Sequence, residues 1–231
     1  QEALLAINTN MKKAWRQLTE ANTLIITLGT AWVYKLADTA MVVGNCHKVP
    51  ERNFTRQRLQ VQEIVEALST VILLFNEINP KLRVLFTVSP IRHLKDGLHG
   101  NQLSKATLLL ATDELCRLYP EKCNYFPAYE IVMDELRDYR FYAEDMAHPS
   151  MQAVDYVWKC FVDNCIDADA QSFMLQWEKI VRAMRHRPFN SQSEQYKSFI
   201  QQTIAKINEL KKSTPYLEVQ DELEHCLSLI G

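Results

Sequence analysis

Thr23-Leu-Ile-Ile-Thr-Leu-Gly-Thr30 is a short aliphatic and β-branched run that stops at a glycine. A run of this length without polar alternation reads as a strand buried on both faces, the habit of parallel sheets. Upstream, Leu4, Leu5, Ile7, Met11, Ala14, Trp15 and Leu18 recur near helical spacing and predict a helix over 2–20. Downstream, Trp32-Val-Tyr34 and Met41-Val-Val43 flank a turn near Asp38-Thr39, which reads as a hairpin excursion. Leu59, Ile64, Val65, Leu68, Ile72, Leu73 and Phe75 then predict a helix over 59–78, ended by Asn79-Pro80. A second apolar strand follows, Arg83-Val-Leu-Phe-Thr-Val88, closed by Ser89-Pro90. Further helices are expected over 102–118, 129–138 and 149–162, with Tyr125-Phe126-Pro127 a third strand or strand end.

Strand, helix, strand, helix in this rhythm predicts an α/β fold, a parallel sheet wrapped by helices in three α/β/α layers. Chemistry in open α/β sheets gathers beyond the carboxyl ends of the strands. Those ends carry Gly29-Thr30, Ser89-Pro-Ile-Arg-His93 and, after the last sheet element, Asp145 to His148. From residue 167 the character changes. Helices over 171–186, 192–212 and 216–229 are polar and rich in Gln, Lys and Glu, so the expected division is 1–166 and a helical tail, 167–231. Phe173, Leu175, Trp177, Ile180 and Met184 give that tail an apolar stripe suited to packing or to self-association.

The chain has 231 residues, 47% apolar and 23% charged, with a formal net charge of −2. That balance argues for no nucleic-acid partner, and no apolar run is long enough for a membrane span. Six cysteines, at 46, 116, 123, 160, 165 and 226, match no zinc ribbon, redox pair or disulfide framework, so a reducing, cytoplasmic setting is preferred. The first residues lack a methionine and lie inside an amphipathic helix, from which a trimmed N-terminus is expected.

Asp145-Met-Ala-His-Pro-Ser150 carries the clearest chemistry. Pro149 biases His148 toward extended backbone and Ser150 can cap the helix that follows. An Asp three residues before a His can hold one ring nitrogen and leave the other as a base. The plainer reading is a pair that only orders its loop.

The chain resembles the GSCFA family of the SGNH (GDSL-like) hydrolase superfamily over residues 1–165. The resemblance rests on Leu24-Ile-Ile-Thr-Leu-Gly-Thr-Ala-Trp-Val-Tyr34, Asn45-Cys-His-Lys48, Phe86-Thr-Val-Ser-Pro-Ile-Arg-His93, Asp96-Gly97, Asn101-Gln-Leu-Ser-Lys105, Tyr125-Phe-Pro-Ala-Tyr-Glu130 and Asp134-Glu-Leu-Arg-Asp-Tyr-Arg-Phe-Tyr-Ala-Glu-Asp-Met-Ala-His-Pro-Ser150. It implies Asp145 and His148 as catalytic acid and base, a serine nucleophile after a first strand, no cofactor, and a small-molecule or carbohydrate ester as substrate. The name-giving Gly-Ser-Cys-Phe-Ala motif is absent from these 231 residues, so the nucleophile is expected upstream of Gln1. Many superfamily members place an oxyanion-binding Asn after Leu-Gly-Thr, where Ala31-Trp32 stand here. Asn45 and the backbone N–H groups near Gly29 and Thr30 are the candidate substitutes, with His47, Ser89, Arg92 and His93 as further substrate contacts.

Ser89 ends a strand, as nucleophiles often do, yet no glycine flanks it to form a sharp elbow, which favours a structural or substrate-contacting role. His47, His93, His99, Arg92, Asp96 and Cys46 could instead join His148 in a metal site, although no helix shows a paired-histidine spacing. The Arg137-Asp-Tyr-Arg140 run is read as an ion-paired structural segment before a substrate patch. Three functions therefore stand side by side: a serine-type ester hydrolase, a non-catalytic glycan- or partner-binding module, and a metal-dependent hydrolase.

Overall fold

A computed structural model describes residues 2–190 and 193–230. The chain divides into two compact units, residues 1–161 and 162–231. The first runs through α1 (Glu2–Glu20), β1 (Thr23–Leu28), β2 (Trp32–Leu36), β3 (Val42–Val43), β4 (Phe54–Arg58), α2 (Val61–Ile78) and β5 (Arg83–Val88). It continues with α3 (Gly97–Leu118), β6 (Cys123–Tyr125), α4 (Ala128–Glu130) and most of α5 (Met151–Cys165), whose last residues fall in the second unit.

Strands β1, β5 and β6 form a parallel sheet in that order, with Thr23 opposite Arg83 and Leu28 opposite Val88. Parallel neighbours need a long crossover, and α2 and α3 provide the two here. Both helices pack on one face of the sheet. Val84, Phe86 and Val88 of β5 are at most 2% exposed and meet Ile64, Val65 and Ile72 of α2 and Leu108, Ala111 and Leu115 of α3. On the other face, Leu85 packs with Phe126, Ile131, and Val157, Cys160 and Phe161 of α5. Helices thus flank the sheet as the α/β reading predicts.

Strand β1 departs from expectation. Only Leu24, Ile26 and Leu28 turn inward, while Thr23, Ile25 and Thr27 are exposed, Ile25 at 51%. β1 is an edge strand with one neighbour, and the inner face of α5 closes over β5, not over β1. An apolar groove of about 350 Å³ is left along Ile25, Thr27, Leu85, Thr87, Val154 and Trp158.

The excursion after β1 is larger than the expected hairpin. β3 and β4 pair antiparallel on either side of β2, making a second three-stranded sheet. Two other boundaries shift: α3 begins at Gly97, and the helix expected over 129–138 is α4 followed by a wider turn, Ile131–Glu135.

The second unit contains α6 (Ala168–Met184), α7 (Glu194–Ser213) and α8 (Gln220–Ser228). Asp167 caps α6 by accepting from the Ala170 N–H (2.9 Å), and Ser193 caps α7 by accepting from Tyr196 (3.2 Å). Ile180, Tyr196, Ile200, Ile207, Leu210, Val219 and Cys226 form its buried core. Among the described residues no helix is long and apolar enough to cross a membrane.

Candidate active site

Asp145 and His148 sit in a closed loop. The Ala143 N–H donates to His148 O (2.8 Å) and the Ser150 N–H to Phe141 O (2.8 Å), so the segment from 141 to 150 folds back on itself. Met146 takes a left-handed φ of 58°, an uncommon conformation for a side chain of this size. Inside the loop, Oδ1 of Asp145 accepts from the Ala147 and His148 N–H groups, both at 2.9 Å. Oδ2 lies 2.5 Å from His148 Nδ1. Hydrogen bonds from the His148 backbone, the Ala147 backbone and the His148 ring lower the Asp145 pKa to about 2. The carboxylate is therefore ionised throughout the neutral range. Nε2 of His148 takes no part in this pair, and the His148 side chain is 59% exposed. Ser150 Oγ accepts from the Ala153 N–H (3.3 Å) in the first turn of α5.

The loop is pinned to the carboxyl end of β5. The Arg92 N–H donates to Ala147 O (3.0 Å), and the Arg92 guanidinium donates to Met146 O (3.1 Å) and to the Tyr142 hydroxyl (2.8 Å). The same guanidinium lies 4.0 Å from the Tyr142 ring centre. A planar fork suits this mixture of carbonyl, hydroxyl and ring in a way an ammonium cannot.

Lys105 draws the ends of β1 and β5 together. It is 1% exposed, and its Nζ donates to Gly29 O and Ser89 O, both at 2.6 Å. Burial lowers its pKa from 10.5 to about 8. His93 shares this corner. Its N–H donates to Asn101 Oδ1 (2.9 Å), its Nε2 lies 3.6 Å from where a side chain on Gly29 would begin, and burial together with Lys105 lowers its pKa. Lys105 carries no role in the reading of the sequence alone. The signal was present: it falls on the buried stripe of α3 with Asn101, Ser104, Leu108, Thr112 and Leu115, where an unpaired charge is costly.

Gly29, Ser89 and His93 therefore meet around Lys105, while Arg92 joins the Asp145–His148 loop. Thr30 is tied elsewhere: its Oγ1 lies 3.0 Å from Ser104 Oγ and accepts from the Trp32 N–H (3.2 Å), and the Ala31 N–H donates to Ser104 Oγ (2.8 Å). Ser89 Oγ accepts from the Ile91 N–H at 3.3 Å. Asn45 and His47 lie in the loop that follows β3, outside both sheets, where Asn45 Oδ1 accepts from the His47 N–H (2.9 Å). No three His, Cys, Asp or Glu side chains converge as a metal site among the described residues. Arg137 pairs with Asp134 (3.2 Å) and Arg140 with Asp138 (3.8 Å), both on the surface.

The second sheet is locked beside this rim. Arg56 of β4 forms a two-pronged ion pair with Asp96, its Nη2 2.9 Å from Oδ2, and its guanidinium lies 4.6 Å from the Trp32 ring centre. The Asp96 side chain is 3% exposed.

A family model described as the GSCFA family matches residues 1–161. The chain belongs to the GSCFA family. A second model, described as a GSCFA domain protein, C-terminal domain, matches residues 177–230. No curated protein and no solved structure matches the chain.

Proposed function

We propose that the first unit of this GSCFA chain carries the acid–base pair of an SGNH-type serine hydrolase acting on an ester, an acyl or acetyl group borne by a carbohydrate. The observation that carries this reading is the Asp145–His148 pair, 2.5 Å apart in a loop fastened to the carboxyl end of β5. Asp145 fixes the proton on Nδ1 and steadies the imidazolium, which leaves Nε2 to act as base. His148 takes the proton of a serine hydroxyl as that oxygen attacks the ester carbonyl. It then returns the proton to the departing alcohol, and water releases the acyl group by the same steps in reverse order.

We place the serine in a segment preceding Gln1, with the Gly-Ser-Cys-Phe-Ala motif that these residues lack. The bare outer face of β1 supports that placement, because a parallel sheet is ordinarily covered on both sides. The N–H groups of Gly29 and Thr30 and the amide of Asn45 are the proposed oxyanion donors, and Ser89, Arg92, His93 and His47 the proposed substrate contacts.

In the protein extended to include the motif, His148→Ala removes turnover of an activated ester and labelling by a serine-directed fluorophosphonate. Unchanged turnover in that variant refutes the assignment. One observation favours a second reading, a glycan- or partner-binding module. Ala31 and Trp32 stand where an oxyanion Asn is usual, and their N–H groups are already taken by Ser104 and Thr30. Carbohydrate binding with no fluorophosphonate labelling of the extended protein would establish that reading instead.

A further inference from the structure

Charge in the second unit is segregated along the sequence. Residues 163–178 hold Asp163, Asp167, Asp169 and Glu178 with no Lys or Arg, and residues 218–224 hold Glu218, Asp221, Glu222 and Glu224, again with none. Between Lys179 and Lys212 stand eight basic residues (179, 182, 185, 187, 197, 206, 211, 212) against Glu194 and Glu209. The fold gathers four of the eight around one cleft. Lys179 and Arg182 come from α6, Arg187 from the connection after it and Lys206 from α7, and among the described residues no Asp or Glu lines the space.

The cleft has a volume of about 780 Å³, within the range of roughly 300–1,000 Å³ usual for small-molecule sites. Its floor is apolar: Ile180 and Tyr196 are 3% and 6% exposed. Phe199, on its wall, meets the His186 ring edge-on at 5.7 Å. Arg182 is paired with Glu178 one turn earlier on α6 (2.6 Å), whereas Lys179, Arg187 and Lys206 make no ion pair among the described residues. Uncompensated cations on two helices, around an aromatic and aliphatic floor, fit a multiply charged anion joined to a flat apolar body. A bare polyanion would leave that floor without a partner, and a neutral aromatic would leave the cations without one.

We propose that the cleft between α6 and α7 binds an organic phosphate of nucleotide size, its phosphates on Lys179, Arg187 and Lys206 and its ring against Phe199. This site is independent of the chemistry assigned to the first unit. The test is calorimetric titration of the whole chain with ATP, adenosine and tripolyphosphate in separate experiments. ATP is expected to bind at least about tenfold more tightly than either fragment, since tenfold equals the worth of one charged hydrogen bond. The double variant Lys179→Glu, Lys206→Glu changes two exposed side chains and should weaken ATP by more than about tenfold on the same grounds, with an unaltered circular dichroism spectrum. Phe199→Leu should bring ATP down toward tripolyphosphate while leaving tripolyphosphate unchanged. The proposal is overturned by the absence of ATP binding at millimolar concentration. ATP affinity unchanged by the double charge reversal, or tripolyphosphate binding as tightly as ATP, overturns it equally.

Discussion

Lys105→Met isolates the energetic role of the buried ammonium at the sheet's carboxyl rim. Burial lowers the Lys105 pKa from 10.5 to about 8, and at about 1.4 kcal/mol for each pH unit that difference amounts to roughly 3 kcal/mol. The folded pKa lies below the unfolded one, so between pH 8 and 10.5 the unfolded chain binds more protons, and stability rises with pH across that window. Below pH 8 the group is charged in both states and the desolvation cost is present in full. At pH 7 the methionine variant removes that cost but leaves Gly29 O and Ser89 O without their donor, a loss of about 1–3 kcal/mol for each carbonyl. The two effects oppose each other at similar size, so stability near neutrality should change by only about 1 kcal/mol. The diagnostic quantity is the difference between wild type and variant in urea unfolding, followed by tryptophan fluorescence at half-unit steps from pH 7 to 10.5. Wild type should gain about 3 kcal/mol on the variant across the upper window. Cysteine and tyrosine ionisations are common to both proteins and cancel in the difference. A flat difference refutes the account of Lys105 as a desolvated cation.

Asp96→Asn removes the charge opposing a partly exposed Arg56 and should cost about 1–3 kcal/mol in urea unfolding, while replacing both partners by apolar residues should cost less. Gly97→Ala should cost about 1–3 kcal/mol, because Gly97 sits at φ 68° and ψ 170°, a region nearly confined to glycine, although nothing lies within 4 Å to clash with the new methyl. A Gly29→Ala variant serves as its counterpart and should be nearly neutral, its methyl meeting His93 Nε2 at an ordinary 3.6 Å. In a carbon-detected carboxylate titration, Asp145 should show a midpoint near 2; being lowered in the folded state, its contribution to stability is present above the ordinary aspartate range and lost as pH falls through 2. Arg92→Lys should keep the charge yet loosen the Asp145–His148 loop, seen as faster amide exchange at Ala147 and His148.

The parallel sheet was legible because β1 and β5 are aliphatic runs stopped by Gly29 and by Ser89-Pro90, and helical periodicity placed α1 from Glu2 to Glu20. Strand β4 was not legible. Phe54-Thr-Arg-Gln-Arg58 carries two arginines, and Arg56 turns toward Trp32 and Asp96 only because tertiary pairing offsets its desolvation. The exposure of Ile25 was equally hidden, since a strand's own residues do not report whether it lies at an edge or in the middle of a sheet. At the rim, the spacing of Asp145 and His148 announced the pair. The hold of Arg92 on Met146 spans 54 positions and that of Lys105 on Gly29 spans 76, distances at which pattern is silent. Lys105 remained visible only as an anomaly, a lysine on the apolar stripe of α3.

The two oxygens of Asp145 divide their labour: Oδ1 folds the turn through two backbone N–H groups and Oδ2 faces the imidazole. An asparagine would keep a carbonyl oxygen for the turn and turn an NH₂ toward Nδ1. The loop would hold its shape while the ring reversed its polarity, Nε2 becoming a donor and ceasing to be a base. In a serine hydrolase that exchange of tautomer costs about 10⁴-fold in turnover; in a binding module it costs nothing unless the ligand hydrogen-bonds that nitrogen. One atom pair thus separates the form of this site from its reactivity.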